Sequence, residues 1–442
     1  MALTRAGFVL RRFSRKLWVR SAGFAVLGGV AAVAGRVIGP WVPPDLFFKS
    51  GGGSVGGLLN ILASSMLAVT TFSLSIMVSA YSAAAAAVTP RAVNLLLEDR
   101  TSQTVLSTFL GAFLFALVGL IALEAGIYGD GGRVVLFAAT IAVTAAVVLA
   151  MLRWISHLTT FGRVGDTTRR VEEAALAALR SRLDSPCLGG MAMPAHGPPK
   201  GFVPVLARDT GYLCHIDMPQ LDEVAKTIAT SAASKDTPDL AGPPLLYVGP
   251  LPGCLVHTKV PLVWIAPQHL TDDIARDLQA AFTIRATRNF DQDPRFGLCV
   301  LSEIAERALS PAVNDPGTAI DVLSRALRVL SHWPERATST PQFPLVAVPD
   351  LHIEDAFADI FPAIARDGAA IFAVQVRLQK TLLALATLSP GLLAQAAAAQ
   401  SSRAMAEARA KLTHPEEADL LQALSDQIAA LARTTDHQTR TI

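Results

Sequence analysis

The stretch LSPAVNDPGTAID, residues 309–321, sets Ser310, Asn314, Asp315 and Thr318 between two prolines and a glycine. Just upstream, RATRNFDQDPRFG brings Arg285, Arg288 and Arg295 together with Asp291 and Asp293. These residue types suit two kinds of chemistry. The hydroxyl, amide and carboxylate of the first stretch could present polar groups to a ligand or to another subunit. The arginines of the second could hold an anion or a lipid headgroup, or close an internal ion-pair network with the two aspartates. Acid–base catalysis would need paired groups with shifted pKa values. Glu303, Glu306 and Asp315 supply carboxylates, but no spacing marks a pair. A purely structural reading stands beside the functional one. Pro311 stops one helix, Asp315 is placed to cap the next, and Pro316 falls at its first position, where a missing N–H costs nothing.

A second constellation lies near the N-terminus. At 100° per residue, Asn60, Ser64, Thr71, Ser75, Ser79 and Ser82 fall within about a 100° sector of one helix, with Thr70 and Ser73 off it. In an apolar helix such a stripe must face protein or water. It is either a seam for close helix packing or the lining of a conduit in an oligomer. The echo Gly211-x-Leu213-x-His215 and Gly253-x-Leu255-x-His257 brings two histidines within reach of a metal reading, but a metal needs three or four ligands and no third is indicated. No Walker loop, GxSxG or HExxH occurs, so no catalytic residue, cofactor or metal is expected.

The elements that must position these residues follow from composition. Half the chain is apolar and 17% is charged, where soluble domains run nearer a quarter. Net charge is +2, so no nucleic-acid partner is indicated. The four cysteines, Cys187, Cys214, Cys254 and Cys299, form no CxxC pair and suit a reducing compartment. Nothing charged lies between Lys49 and Arg91, between Arg100 and Glu124, or between Arg133 and Arg153. Each run reaches or nearly reaches the roughly 20 residues that cross a bilayer. With a fourth candidate broken only by Arg36, the expected spans are about 17–39, 55–88, 103–125 and 134–155. Glu124, at the end of the third, reads as an interfacial residue. As a helix the second run would be about 50 Å long, well beyond the hydrocarbon core.

Basic residues cluster at Arg5, Arg11, Arg12, Arg15, Lys16 and Arg20, and again at Arg153, Arg163, Arg169 and Arg170. The opposite loops carry Lys49 and Arg133. The positive-inside rule then places both termini in the cytoplasm. Residues 2–16 read as a surface-lying amphipathic helix or a basic tail. After a helical connector at 159–185, short β-like runs punctuated by Gly and Pro mark a small β-rich domain over 186–267. From 268 to 442 the pattern is mainly helical and cytosolic, with Thr271 an N-cap candidate and PLVAVPDLHI one strand.

Here a family resemblance comes in. RATRNFDQDPRFGLCVLSEIAERALSPAVNDPGTAIDVL resembles the signature of the bacterial predicted membrane proteins called domain of unknown function 2254. TFSLSIMVSAYSAAAAAVTPRAVNLLLEDRTSQTVLSTFLGAF, LRWISHL and DTGYLCHIDMPQL agree in order. The resemblance covers most of residues 55–330 and implies a multi-span membrane protein with a soluble C-terminal part and no established activity. The expected fold is thus a four-span α-helical integral membrane domain, 1–158, followed by a cytosolic α+β region. The expected protein sits in the bacterial inner membrane, has the lipid bilayer and copies of itself as partners, and is channel-like. The alternative is a membrane-anchored binding or scaffolding protein.

Overall fold

The computed structural model describes residues 54–97, 99–128, 130–159, 161–232, 243–335 and 340–439, with isolated positions at 22, 23, 26 and 30. Apart from those positions, the expected helix over 2–16 and the expected span over 17–39 lie outside the described residues. The chain divides into two compact units, with the boundary between Thr167 and Thr168.

The first unit is helical. α1 runs Val55–Ala87, α2 Pro90–Leu97, α3 Arg100–Glu124 and α4 Asp130–Leu158. Within them, Val55–Ala85, Arg100–Glu124 and Gly132–Leu158 are long and apolar enough to cross a membrane. The 33 residues of α1 span about 50 Å. It ends where Pro90 would break the ladder, and Thr89 restarts the chain by accepting at Oγ1 from the backbone N–H of Arg91 (3.1 Å) and of Ala92 (3.3 Å). Asp99 caps α3. α3 is the most enclosed of the three long helices and packs against both others. Phe109 and Phe115 on α3, Leu59 on α1 and Leu136 on α4 are fully buried. Gly119 admits Leu59, whose Cδ1 would lie 3.2 Å from an added Cβ. The outer surface of α4, with Val148, Leu149, Leu152 and Ile155, is exposed and is of the kind that hydrocarbon accepts.

The second unit is α/β. α5, Val164–Asp184, leads into it; β1, Gly190–Ala192, β2, Val203–Leu206, and β3, Gly211–Ile216, follow. Then come α6, Met218–Ala232, β4, Leu246–Val248, β5, Leu255–Val256, and β6, Pro261–Ile265. α7, Asp272–Ala280, is capped by Thr271, whose hydroxyl oxygen accepts from Ile274 N at 3.3 Å. β7, Phe282–Arg285, α8, Pro294–Leu309, α9, Pro316–Leu330, and β8, Phe343–Val348, complete the mixed part. The helices α10, Ile353–Asp367, α11, Phe372–Leu388, α12, Pro390–Lys411, and α13, Pro415–Thr439, close the chain. In the larger sheet the order is β1-β8-β4-β6-β2, with β8 parallel to both its neighbours and the other pairings antiparallel. β8 sits inside this sheet although it lies far beyond residue 267. The sheet therefore draws strands from both sides of the boundary expected at 267/268, because strand pairing follows register and not sequence proximity. The smaller sheet, β5-β3-β7, is antiparallel. A buried polar network, in which the Ser401 hydroxyl lies 2.6 Å from Gln379 Oε1 and 2.8 Å from Ser425 Oγ, ties α11, α12 and α13 together.

Candidate functional site

On α1 all six stripe residues, Asn60, Ser64, Thr71, Ser75, Ser79 and Ser82, are exposed. The face that α1 buries carries Val55, Leu59, Leu62, Met66, Ser73, Met77 and Ala84. At 100° per residue that face is centred roughly opposite the stripe. The hydroxyls are thus not a seam between α1 and the other described helices. Three of them are satisfied on their own helix. Ser64 donates to Asn60 O (2.9 Å), Thr71 to Leu67 O (2.9 Å) and Ser75 to Thr71 O (3.1 Å). With their protons so committed, these hydroxyls turn acceptor lone pairs outward.

The 309–321 corner is built on local hydrogen bonds. α8 stops at Ser310, whose hydroxyl donates to Arg307 O (2.7 Å). Ser310 O accepts from the N–H groups of Val313 (3.0 Å) and Asn314 (2.9 Å). Asn314 takes a left-handed backbone, φ 49°, which asparagine tolerates better than most side chains. Asp315 N then donates to Ala308 O (2.7 Å). The Asp315 carboxylate caps α9, accepting from Thr318 N (3.1 Å) and from the Thr318 hydroxyl (2.6 Å). Those two bonds hold the exposed carboxyl below its ordinary value. Asp315→Ala is therefore expected to cost about 0.5–2 kcal/mol and Asp315→Ser or Asn little, read from thermal unfolding. Because the folded-state value is depressed, the stabilisation is present at neutral pH and is lost as pH falls through it. Unchanged stability in Asp315→Ala would overturn this capping role, and loss of a biological phenotype in Asp315→Asn at unchanged stability would show that the carboxylate serves a ligand beyond the cap.

The arginine-rich segment closes on itself and on its neighbours. Arg288 reaches Asp293 Oδ2 through Nε and Nη2, both at 2.8 Å, and stacks 4.9 Å over the Phe296 ring. Asp293 is 1% exposed and also caps α8, accepting from Phe296 N at 3.1 Å. Burial lifts its carboxyl above the ordinary value against the pull of Arg288. Gly253, at φ 99°, passes so near that an added Cβ would lie 2.6 Å from Asp293 Cγ. Gln292 holds the backbone of Ile216, accepting from its N–H (2.9 Å) and donating to its carbonyl (3.3 Å). Arg295 pairs with Asp359 (2.6 Å) and Asp355 (2.8 Å) on α10. Asp291 is exposed and accepts from Asn289 Nδ2 (3.1 Å), while Arg285 lies on β7, opposite Tyr212 of β3. Burial pushes the Cys299 thiol, beside Arg288, up to about 11, so at neutral pH it is not a thiolate nucleophile. Nearby, Glu172 of α5 receives Arg325 (2.6 Å) and Arg328 (2.5 Å) from α9. Burial would raise its carboxyl, but the two guanidinium groups outweigh burial and hold it low.

The two histidines do not meet. β3 and β5 run antiparallel with Gly211 opposite Val256, which sends His215 and His257 to opposite ends of the pair. His215 is buried and His257 exposed. Among the described residues no three His, Cys, Asp or Glu side chains gather as metal ligands.

One cluster escaped the sequence reading. In the first unit His157, in the last turn of α4, lies 3.0 Å from the Asp99 carboxylate that caps α3. Ser102 donates to the same carboxylate oxygen from its backbone N–H (2.7 Å) and its hydroxyl (2.6 Å). The residues lie 55 or more positions from His157, so no local spacing could pair them. The one available signal was the Asp99-x-x-Ser102 capping pattern.

Three long apolar helices followed by a mixed α/β unit define a helical membrane protein with a substantial non-spanning part. The chain belongs to the family described as predicted membrane protein DUF2254, whose profile matches residues 14–384. It is similar to the uncharacterized protein Mb1321c of Mycobacterium bovis and to the uncharacterized protein Rv1290c of Mycobacterium tuberculosis strain H37Rv. Each is 27% identical over 320 residues, 71% of this chain and 58% of the relative. The match thus spans less than two thirds of those relatives' own length. No solved structure matches the chain.

Proposed function

We propose that this chain assembles into an oligomer of the bacterial inner membrane in which the outward hydroxyl face of α1 lines a hydrated, channel-like path. In this reading the downstream unit is cytosolic and regulatory. The observation that carries it is the exposure of all six stripe residues on the face of α1 opposite its packed one. A polar face on a membrane helix that the other described helices do not cover calls for further protein or water. A second reading, a membrane-anchored binding or scaffolding protein without a conduit, draws on a different observation. Ser64, Thr71 and Ser75 already donate to carbonyls one turn back, so they tolerate lipid or a packed neighbour without water.

Single cysteines at 64, 71, 75 and 79, in a background lacking the four native thiols, separate the two. In the conduit reading a small, membrane-impermeant thiol reagent labels them in intact oligomer. Cysteines replacing Met66, Ser73 and Met77 on the packed face, and Leu149 and Leu152 on α4, stay protected. Equal protection at all these sites would leave the scaffold reading. Orientation is tested separately: with both termini cytoplasmic, reporters fused after Ile442 are active only in their cytoplasmic form.

A further inference from the structure

We propose that Arg100, Arg153 and Arg163 form a cradle for the phosphate of an anionic phospholipid at one end of the helical bundle. The cradle needs the membrane setting alone, so it stands whether or not α1 lines a path.

The packing brings the three arginines to one place. His157, in the last turn of α4, lies 3.0 Å from Asp99, so the end of α4 sits beside the start of α3. Arg100 follows Asp99 and opens α3. Arg153 stands one turn before His157 on α4. Arg163 follows the turn after α4, in which the Phe161 ring lies 5.0 Å from the His157 ring. Its neighbour Gly162, at φ 78°, lies so close to α1 that an added Cβ would be 3.1 Å from Ala80 Cβ. All three arginines are exposed. Among the described residues none of their guanidinium groups has an ion-pair or hydrogen-bond partner. Arg288, Arg295 and Arg325 of the second unit, by contrast, all meet carboxylates. Of the acids nearby in sequence, Asp99 is 7% exposed and accepts from Ser102. Asp166 is half-buried and is not paired with any of the three.

Depth and surroundings select the ligand. The apolar run of α4 begins at Gly132, and from there to Arg153 is about 30 Å of helix, one hydrocarbon thickness. Arg153 thus falls at the level of the headgroups. Leu149, one turn back on the same face, and the adjacent Leu152 are exposed and offer an apolar surface to an acyl chain. A guanidinium stays charged and presents a planar fork that matches phosphate. At this depth an unpaired one must reach the headgroups or draw water inward. Three of them around one junction favour a lipid of net negative charge, because a zwitterionic headgroup returns a cation to the same place. A free phosphate has the charge without the chains, so it forfeits the contact with the α4 surface.

Lipid retention by the full-length protein in detergent tests the cradle. The protein is incubated with an equimolar mixture of phosphatidylglycerol and phosphatidylcholine of identical chains, repurified, and its bound lipid counted by mass spectrometry. The unmutated protein is expected to hold phosphatidylglycerol in excess by about fivefold or more, since the attraction of a single basic residue to an anionic surface is worth about fivefold. The triple variant Arg100→Gln/Arg153→Gln/Arg163→Gln is expected to bring the ratio close to one. Arg153→Gln alone is expected to lower the excess severalfold, and it decides in the same way should the triple variant not be recovered. Glycerol phosphate, the same headgroup chemistry without chains, is expected not to displace the lipid. Equal retention of the two lipids by the unmutated protein would overturn the proposal, as would an undiminished excess in the variants. Displacement by glycerol phosphate would make this a site for free phosphate and sink the lipid assignment.

Discussion

Gly297→Leu is expected to prevent α8 from seating on α5, and Gly297→Ala to destabilise the second unit by a net amount of up to about 2 kcal/mol. A Cβ at position 297 would lie 2.8 Å from Ala175 Cα, and both residues are in buried helix faces. Two effects compete in the alanine variant. Removing a helical glycine gains about 1 kcal/mol of propensity, while overpacking a tight core costs about 1–3 kcal/mol. The clash wins because the atoms it meets first, Ala175 Cβ and Cα, are fixed to the α5 backbone and cannot rotate away. Leucine adds three more carbons to the same contact and leaves no rotamer free of it. Thermal unfolding and gel-filtration profiles of the purified protein check this, with Gly165→Ala as control, since nothing lies within 4 Å of a Cβ there. Unchanged melting and yield in Gly297→Leu would mean that α5 and α8 are not in contact.

Arg288→Met is expected to cost about 3–5 kcal/mol, the range for removing one partner of a buried ion pair. It strands Asp293, 1% exposed, with a carboxylate whose remaining hydrogen bond is the α8 cap from Phe296 N, and gives up the stacking on Phe296. The cost is the penalty of an uncompensated charge, more than the worth of the pair itself. The double variant Arg288→Met/Asp293→Asn is therefore expected to be more stable than Arg288→Met alone, because asparagine can still cap the helix. Denaturant unfolding of the four members of the cycle measures this non-additivity. A cost below about 1 kcal/mol for Arg288→Met would point to an arginine held for a ligand and not for the fold.

Both sites fall in or beside the segment that stood out in the sequence, and that says where local grammar was informative. Asp315 and Thr271 were legible as caps because capping is decided within four residues. The three described long helices were legible because a bilayer demands about 20 uncharged residues in a row, and β8 was legible as a strand from its own composition. The stripe on α1 was legible as a stripe, since 100° per residue needs no tertiary information. What it faces was not. Only the packing of Leu59, Met66, Ser73 and Met77 into the bundle turned the hydroxyls outward, and that depends on which partners the other helices present.

The same limit applies wherever a contact joins distant positions. The place of β8 inside the larger sheet, the clasp of Gly253 on Asp293, and the engagement of Glu172 by Arg325 and Arg328 each join residues tens to more than a hundred positions apart. Spacing along the chain carries no signal for them, because their geometry is set by strand register and helix packing and not by backbone period. The meeting of His157 with Asp99 belongs to this group. The sequence by itself determined the apolar helices, the caps and the corner, where the responsible forces act over one or two turns. The tertiary structure alone decided which charges pair, because a buried charge is stabilised by whatever partner the packed fold brings to it.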